Sequence, residues 1–215
     1  MPHFPAIFIT CALAAACGTK ALEPTSQHMQ TNPAQQDLNG LATAHFAEGC
    51  FWCAEEIFQH VRGVRDVING YAGGTEPNPS YEQVSEGTTG HAEAVEVHYD
   101  PKEVSFETLV KVFFASQDPT TPSRQGPDAG PQYRSIAFYD TPGEQAFIEG
   151  YIRELDASGQ YKRPIVTEVK PFVKFWPAEE YHQNYADRNP NAPYIQHVSK
   201  PRFQQFKEKM PGVLK

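Results

Sequence analysis

Two cysteines, Cys50 and Cys53, are the side chains of this 215-residue chain best suited to chemistry. Phe51 and Trp52 separate them, so one helical turn would bring the two sulfurs within reach of each other. Cys50 follows Gly49, between a short apolar segment and a helical pattern. A helix N-terminus carries partial positive charge, which favours the nucleophilic thiolate over the thiol. We therefore predict that Cys50 is a nucleophile.

A C-x-x-C pair is compatible with several kinds of site. It can exchange disulfides as in thioredoxins, provide half of a zinc site, or join a nucleophile to the thiol that resolves its sulfenic acid. It can also form a structural disulfide in a protein without enzymatic activity. No second C-x-x-C and no spaced histidine pair follows, which argues against zinc. Spacing alone does not decide between disulfide exchange, resolution of a sulfenic acid and a structural disulfide.

The composition indicates a compact domain and argues against nucleic-acid binding. The formal net charge is −8 and the Lys and Arg residues form no run, whereas binding to phosphates requires a basic surface. Hydrophobic residues make up 40% of the chain, enough to bury a core. The 19 prolines indicate many loops, and the 12% of aromatic residues indicates aromatic-lined surfaces.

The N-terminus has the features of an export signal. Residues 7–16 are an apolar run, shorter than the roughly 20 residues that span a bilayer. The run ends in Leu-Ala-Ala-Ala-Cys, which resembles a bacterial lipobox and finishes at Cys17. We predict that residues 1–16 are removed as a lipoprotein-type signal peptide and that Cys17 is lipidated. An ordinary signal peptide cut near Ala16 is the competing interpretation.

The segment after this cysteine predicts a tether. Residues 17–41 are rich in Thr, Gln, Asn and Pro and lack hydrophobic periodicity, which is typical of a flexible linker. The lipid would be the only contact with the membrane. Asp after the acylated cysteine usually retains a lipoprotein at the inner membrane, and here the residue is Gly18. We therefore expect a periplasmic protein anchored to the outer membrane.

Hydrophobic periodicity predicts the fold of residues 42–215. From residue 42 to 139 the predicted order is strand, helix, strand, strand, helix, strand. The predicted bounds are 42–48, 51–61, 64–71, 91–99, 105–116 and 135–139. This order is that of the split β-α-β, ferredoxin-like fold, so we predict an α+β two-layer sandwich.

Two long loops interrupt these elements. The first contains Gly73-Gly74 and Pro77-Asn78-Pro79, and the second covers residues 118–130. Long loops in a compact domain tend to be functional. Beyond them we predict a helix over residues 142–157, a strand over residues 165–169, and an irregular tail from Ala178.

Linked motifs from about Ala44 to the end of the chain resemble those of the methionine sulfoxide reductase A family, the peptide-methionine (S)-S-oxide reductases. In chain order they are GCFWCAEEIF from Gly49, GYAGG from Gly70, NPSY from Asn78, GHAEAV from Gly90, RQGPD from Arg124, QYRS from Gln132, EEYHQ from Glu179 and NP from Asn189. Their number and order make the resemblance specific.

The resemblance implies a role for each matching residue. Cys50 matches the nucleophile that attacks the sulfoxide sulfur, and Phe51 and Trp52 match the apolar pocket for the substrate methyl group. Glu93 matches the general acid that protonates the sulfoxide oxygen, which requires burial to raise its pKa. Without the resemblance, we would interpret Glu93 as a solvated residue on an alternating strand. We would interpret Phe51 and Trp52 as ordinary core aromatics.

Three loop residues also match. The resemblance implies that Tyr81 and Tyr133 hydrogen-bond the sulfoxide oxygen and that Asp128 helps to position the substrate. By residue type alone, turn formation or packing would explain each of them.

The resemblance further implies a thiol cycle. Cys50 becomes a sulfenic acid, and Cys53 condenses with it to a disulfide that an external dithiol reduces. Many relatives carry resolving cysteines in the tail, but residues 191–215 contain none, which leaves Cys53 as the candidate. We expect protein-bound and free methionine sulfoxide as substrates and a periplasmic thioredoxin-like protein as the reductant. We expect a monomer with no metal or cofactor.

Overall fold

The computed structural model describes residues 40–215, which form eight strands and six α-helices. The strands are β1 (Ala42–Glu48), β2 (Val64–Ala72), β3 (Ala92–Tyr99), β4 (Arg124–Gln125), β5 (Asp128–Ala129), β6 (Ser135–Tyr139), β7 (Glu168–Pro171) and β8 (Phe175–Pro177). The α-helices are α1 (Phe51–Gln59), α2 (Tyr81–Ser85), α3 (Phe106–Ser116), α4 (Pro142–Ser158), α5 (Tyr185–Arg188) and α6 (Lys200–Lys209).

A mixed six-stranded sheet is the centre of the fold, in the order β7-β6-β1-β3-β2-β8. β1 pairs antiparallel with β3 and β6, and β2 pairs antiparallel with β3 and β8. β7 joins the edge parallel to β6. The predicted α+β class is confirmed.

Successive side chains of β1 face two hydrophobic cores, one on each side of the sheet. Phe46 packs toward the helices, where its ring stacks on Phe58 and Phe113 with centroid distances of 5.2 and 5.1 Å. The neighbouring His45 and Ala47 face the other side of the sheet, as the alternation of a strand requires, and His45 stacks on Phe172 there at 3.6 Å. Burial of one Phe side chain stabilises a fold by about 1.5–3 kcal/mol. These contacts hold β1 on both faces beside Cys50.

Side-chain caps explain where the predicted helices begin. Ser105 accepts a hydrogen bond from the backbone N–H of Thr108 at the start of α3. Thr141 and Glu144 form a reciprocal capping box at the start of α4. The predicted strands 42–48 and 135–139 match β1 and β6, and the other elements predicted up to α4 differ by at most two residues at an end.

The remaining chain differs from the prediction in three places. The strand expected at 165–169 is β7, which begins at Glu168, and the loop at 118–130 contains the small β4–β5 ladder. The tail from Ala178 is ordered into α5, α6 and a π-helical turn at Ile195–Ser199. In α6 only Phe206 is fully buried, so its sequence has little apolar periodicity. No helix among residues 40–215 has the length and apolar character needed to cross a membrane.

Gly49 makes the turn between β1 and α1. Its φ is +90°, a conformation that residues with a Cβ rarely adopt. A Cβ at this position would lie 2.5 Å from Cβ of Gln125, in the second long loop. The absence of a side chain therefore lets that loop approach the residue before Cys50.

We predict that Gly49→Ala lowers the free energy of unfolding by at least twice as much as Gly159→Ala. Gly159 also has a positive φ, +70°, but an added Cβ there meets no atom within 4 Å. The control should lose about 1 kcal/mol from backbone strain alone, and steric overlap at Gly49 adds about 1–3 kcal/mol. Urea unfolding measures both, and equal losses would show that the approach of Gln125 imposes no constraint.

Candidate active site

Cys50 forms part of the wall of a cavity of about 250 Å³. It is the N-cap of α1, between β1 and the helix, and only 6% of its surface is exposed. The cavity is lined by Cys50, Phe51, Trp52, Tyr81, Glu93, Asp128, Tyr133 and Tyr194. Two surface cavities elsewhere are larger, at about 360 and 370 Å³, but neither is lined by a cysteine. The smaller cavity combines a nucleophile, a carboxyl group and an apolar wall.

The apolar wall is fixed by aromatic packing. The Trp52 ring stacks on Tyr185 with a centroid distance of 3.9 Å and meets Tyr194 edge-on at 5.8 Å. Its indole Nε1 donates a hydrogen bond of 3.2 Å to Nδ1 of His182. Phe51 is fully buried and packs against the His182 ring at 5.0 Å. The wall is therefore rigid and can hold a small apolar group without rearrangement.

Glu93 is a carboxylic acid in an environment that disfavours its charge. It lies on β3, is 2% exposed, and its Oε2 accepts a hydrogen bond of 3.0 Å from the backbone N–H of Phe51. Burial raises the pKa of Glu93 to about 8. The charge of Asp128 also raises this pKa, whereas the hydrogen bond from the Phe51 N–H lowers it. Glu93 is therefore a proton donor at neutral pH.

Tyr81 is held at the first position of α2. Its backbone N–H donates a hydrogen bond of 3.0 Å to Oε1 of Glu179, whose Oε2 accepts one of 2.8 Å from the Tyr71 hydroxyl. Burial and the charge of Glu93 raise the pKa of Tyr81 to about 12. Its hydroxyl therefore keeps its proton and can donate a hydrogen bond into the cavity.

Tyr133 and Asp128 line the cavity from the second long loop and the turn that follows it. Burial and the charge of Glu93 raise the pKa of Tyr133 above its usual value, so it too remains a donor. Oδ2 of Asp128 accepts a hydrogen bond of 2.5 Å from the Tyr194 hydroxyl. Burial raises the pKa of Asp128, although this hydrogen bond lowers it. The loop side of the cavity therefore offers one hydroxyl donor and one carboxyl group.

Cys53 is fully buried and does not line the cavity. Its Sγ lies 3.0 Å from Oγ of Ser199 and 3.9 Å from the Tyr194 hydroxyl. A hydrogen bond with Cys50 is the largest cause that lowers the pKa of Cys53 to about 6, and the Arg202 charge and the two hydroxyls lower it further. The second sulfur is therefore the more acidic of the pair.

The expected acidity of Cys50 was wrong for the resting protein. Burial raises the pKa of Cys50 well above its usual value, and the interactions with Cys53 and Glu93 raise it further. No helix N–H donates to its side chain, so the end of α1 does not offset the loss of solvent. Of the two thiols, Cys53 is therefore the one that ionises more readily.

The structure brings together seven of the predicted site residues around one cavity, with Cys53 behind them. Sequence reasoning missed Tyr194, which lines the cavity, and His182, which accepts a hydrogen bond from Trp52. Cys17 lies outside the described residues. Among residues 40–215, no group of three or more His, Cys, Asp or Glu side chains is arranged to hold a metal ion.

Comparisons with known proteins agree with the motifs. The family model "Peptide methionine sulfoxide reductase" matches residues 42–213. Peptide methionine sulfoxide reductase MsrA 2 of Synechocystis is 42% identical over 209 residues, covering 94% of this chain and 98% of that protein.

Two solved structures have similar folds. Methionine sulfoxide reductase A of Corynebacterium diphtheriae is 37% identical, with a TM-score of 0.64 over 71% of this chain and 76% of the other. Reduced Mxr1 of Saccharomyces cerevisiae is 33% identical, with a TM-score of 0.65 over 75% and 90%. The chain therefore belongs to the peptide methionine sulfoxide reductase family and is an oxidoreductase that uses thiols to reduce methionine sulfoxide.

Proposed function

We propose that this chain reduces the S-epimer of methionine sulfoxide, in proteins and as the free amino acid, through a Cys50 sulfenic acid. The observation that carries the proposal is the placement of the Cys50 sulfur and the protonated carboxyl of Glu93 on one small cavity. The rigid face of Phe51 and Trp52 is the place for the methyl group bound to the sulfoxide sulfur. The preference for the S-epimer is that of the family.

In the first step, Glu93 gives its proton to the sulfoxide oxygen, which makes the sulfur open to attack. The Tyr81 and Tyr133 hydroxyls donate hydrogen bonds to the same oxygen as its charge changes. The Cys50 sulfur attacks, the oxygen passes to it as sulfenic acid, and methionine leaves. The thiol proton of Cys50 replaces the one that Glu93 gave, so sulfoxide and thiol become thioether and sulfenic acid.

The substrate is positioned by the loop side of the cavity. Asp128 is fixed there by the Tyr194 hydroxyl, so its carboxyl group has a set orientation. We assign it to substrate placement, directly or through a water molecule.

In the second step, Cys53 attacks the sulfenic acid, water leaves, and a disulfide forms. Its position one turn along α1 and its low pKa support this role. A thioredoxin-like dithiol then reduces the disulfide by exchange.

We also propose that the sheet contains a ferredoxin-like core. The antiparallel order β6-β1-β3-β2, with α1 and α3 following β1 and β3, supports a ferredoxin-like split β-α-β core within the larger sheet.

We propose that the enzyme is exported and lipid-anchored. The lipobox-like segment ending at Cys17 and the polar residues 17–41 support a cleaved signal over residues 1–16, an acylated cysteine and a tether. Gly18 supports an outer-membrane anchor, with the enzyme facing the periplasm. The electrons would then come from a periplasmic thioredoxin-like protein.

We predict that Cys50→Ser abolishes methionine formation, whereas Cys53→Ser still forms about one methionine per enzyme in a single turnover without reductant. The first change removes the nucleophile, and the second removes only resolution. Thiol counting should give two thiols lost per methionine in the wild type and one in Cys53→Ser. Methionine formation at the wild-type rate in Cys50→Ser would contradict the proposed function.

We predict that Glu93→Gln slows the first step by about 10²–10⁴-fold. Because the pKa of Glu93 is raised to about 8, its acid form is present below that pH and is lost as the pH rises through it. The single-turnover rate of the wild type should therefore fall above about pH 8, and this falling limb should be missing in Glu93→Gln.

Glu96→Gln is the matched control. Glu96 is on the same strand but binds His45 and His98 instead of facing the cavity. It should keep the wild-type rate and falling limb. A full rate in Glu93→Gln would remove the acid assignment while leaving the thiol chemistry in place.

We predict that the mature protein lacks residues 1–16 and carries acyl groups on Cys17. The intact mass of detergent-extracted protein measures both features. Cys17→Ala should abolish acylation and membrane retention, whereas Cys11→Ala, in the removed segment, should leave the mature mass unchanged. A soluble periplasmic product without lipid would instead indicate an ordinary signal peptide.

A further inference from the structure

Behind the two cysteines, Arg202 of α6 lies in a buried polar network. Its side chain is 13% exposed. Nη2 donates a hydrogen bond of 2.7 Å to Oε1 of Glu48, and Nε donates one of 2.8 Å to the backbone oxygen of Ser116. The Ser116 hydroxyl donates to the other oxygen of Glu48 at 2.7 Å. These three hydrogen bonds fix the plane and position of the guanidinium.

The network is adjacent to both cysteines. Glu48 and Gly49 directly precede Cys50, and a Cβ built on Gly49 would lie 3.6 Å from Nη1 of Arg202. Ser199, one helical turn before Arg202, lies 3.0 Å from Sγ of Cys53. The segment leading into α6 therefore contacts the second sulfur with a hydroxyl and carries a cation whose charge lowers the pKa of Cys53.

Glu48 is the direct ionic partner of this cation, although burial opposes the ionisation of its carboxyl group. Burial raises the pKa of Glu48 to about 7, although Arg202 and Ser116 lower it and Cys53 raises it. A guanidinium keeps its charge at any physiological pH, and a buried charge needs a partner. Two groups can supply the anion, the carboxyl of Glu48 and the sulfur of Cys53.

We propose that Arg202 is a positioning residue for the second step, in which its fixed guanidinium keeps the Cys53 sulfur anionic and directed at the oxidised Cys50. This inference rests on the proposed function, because it concerns the resolution of the Cys50 sulfenic acid.

Arg202 matters most after the first step. In the resting protein the largest stabilising contact of the Cys53 thiolate is a hydrogen bond with the Cys50 thiol. Oxidation of Cys50 replaces that thiol by a sulfenic acid, whereas Arg202, Ser199 and the Tyr194 hydroxyl remain. These three groups then stabilise the thiolate form of Cys53, which is the nucleophile.

Resolution is a redox exchange between the two sulfurs. The Cys53 thiolate attacks the Cys50 sulfur, a sulfur–sulfur bond forms, and the sulfur–oxygen bond breaks. The oxygen leaves as water with a proton from Glu93, which regains one from solvent. The Cys50 sulfur is reduced from the sulfenic state and the Cys53 sulfur is oxidised. The titratable or charged groups that influence Cys53 are Glu48, Cys50, Glu93, Tyr194 and Arg202.

The two steps can be timed separately in the full-length protein. Reduced enzyme is mixed with a methionine sulfoxide peptide without reductant, and methionine and free thiols are counted over time. In Arg202→Gln, methionine should form within about twofold of the wild-type rate, because the cavity is intact. Disulfide formation at about pH 6 should slow about twofold for the first unit by which the pKa of Cys53 rises and about threefold for each further unit.

The pH profile distinguishes an electrostatic role from a structural one. At about pH 9 an ordinary thiol ionises as well, so the difference between Arg202→Gln and wild type should disappear. Arg202→Lys should restore most of the resolution rate at pH 6, because it keeps the charge. Arg65→Gln removes a half-exposed arginine paired with Asp100 and should leave both steps unchanged.

Several results would overturn the inference. One is disulfide formation at the wild-type rate in Arg202→Gln at every pH. Another is an equal slowing of methionine formation and disulfide formation at every pH, because that result would indicate a structural role for Arg202. If Arg202→Gln does not fold, Glu48→Gln/Arg202→Gln keeps a neutral hydrogen-bonding pair and must show a pH-dependent defect of the same sign, reduced because the repulsion between Glu48 and Cys53 is removed as well. Absence of methionine in the wild type would instead defeat the proposed function itself.

Discussion

The exclusion of water around Cys50 is the constraint on which the rest of the site depends. It keeps Glu93 protonated at neutral pH and also keeps the Cys50 thiol protonated. Two anions in a cavity of about 250 Å³ would repel each other, whereas a neutral acid and a neutral thiol can lie together. Cys53 is the more acidic thiol of the pair, and the charge of Arg202 contributes to this acidity. The site therefore has a neutral substrate side and an ionic interior.

The fold supplies these two environments from different parts of the chain. The central strands and α1 fix the nucleophile and the acid, while the long loops bring in Tyr81, Asp128 and Tyr133. The C-terminal segment adds Tyr194 to the cavity and Arg202 to the interior. The central strands and α1 set the distance between Cys50 and Glu93. The loops and the C-terminal segment supply the hydroxyl, carboxyl and guanidinium groups around them.

The sequence predicted the elements whose patterns are strong and local. β1 and β6 are short, mostly apolar segments and their bounds were correct, and the motif resemblance identified seven cavity residues. The tail was missed because α6 buries little apolar surface and depends on tertiary contacts. The acidity of Cys50 was misjudged for a related reason: the start of α1 is visible in the local sequence, but the depth of burial is not. Arg202 gave no signal because Glu48, its partner, is 154 residues away.

The location of Cys53 outside the cavity separates the two sides from which Cys50 is reached. Substrate contacts Cys50 from the cavity. Cys53 lies in the interior, against Ser199, and does not reach the cavity. Oxidised substrate and the resolving thiol therefore do not compete for the same space. A methionine sulfoxide in the cavity meets only the first cysteine, so the second thiol is shielded from direct oxidation by substrate.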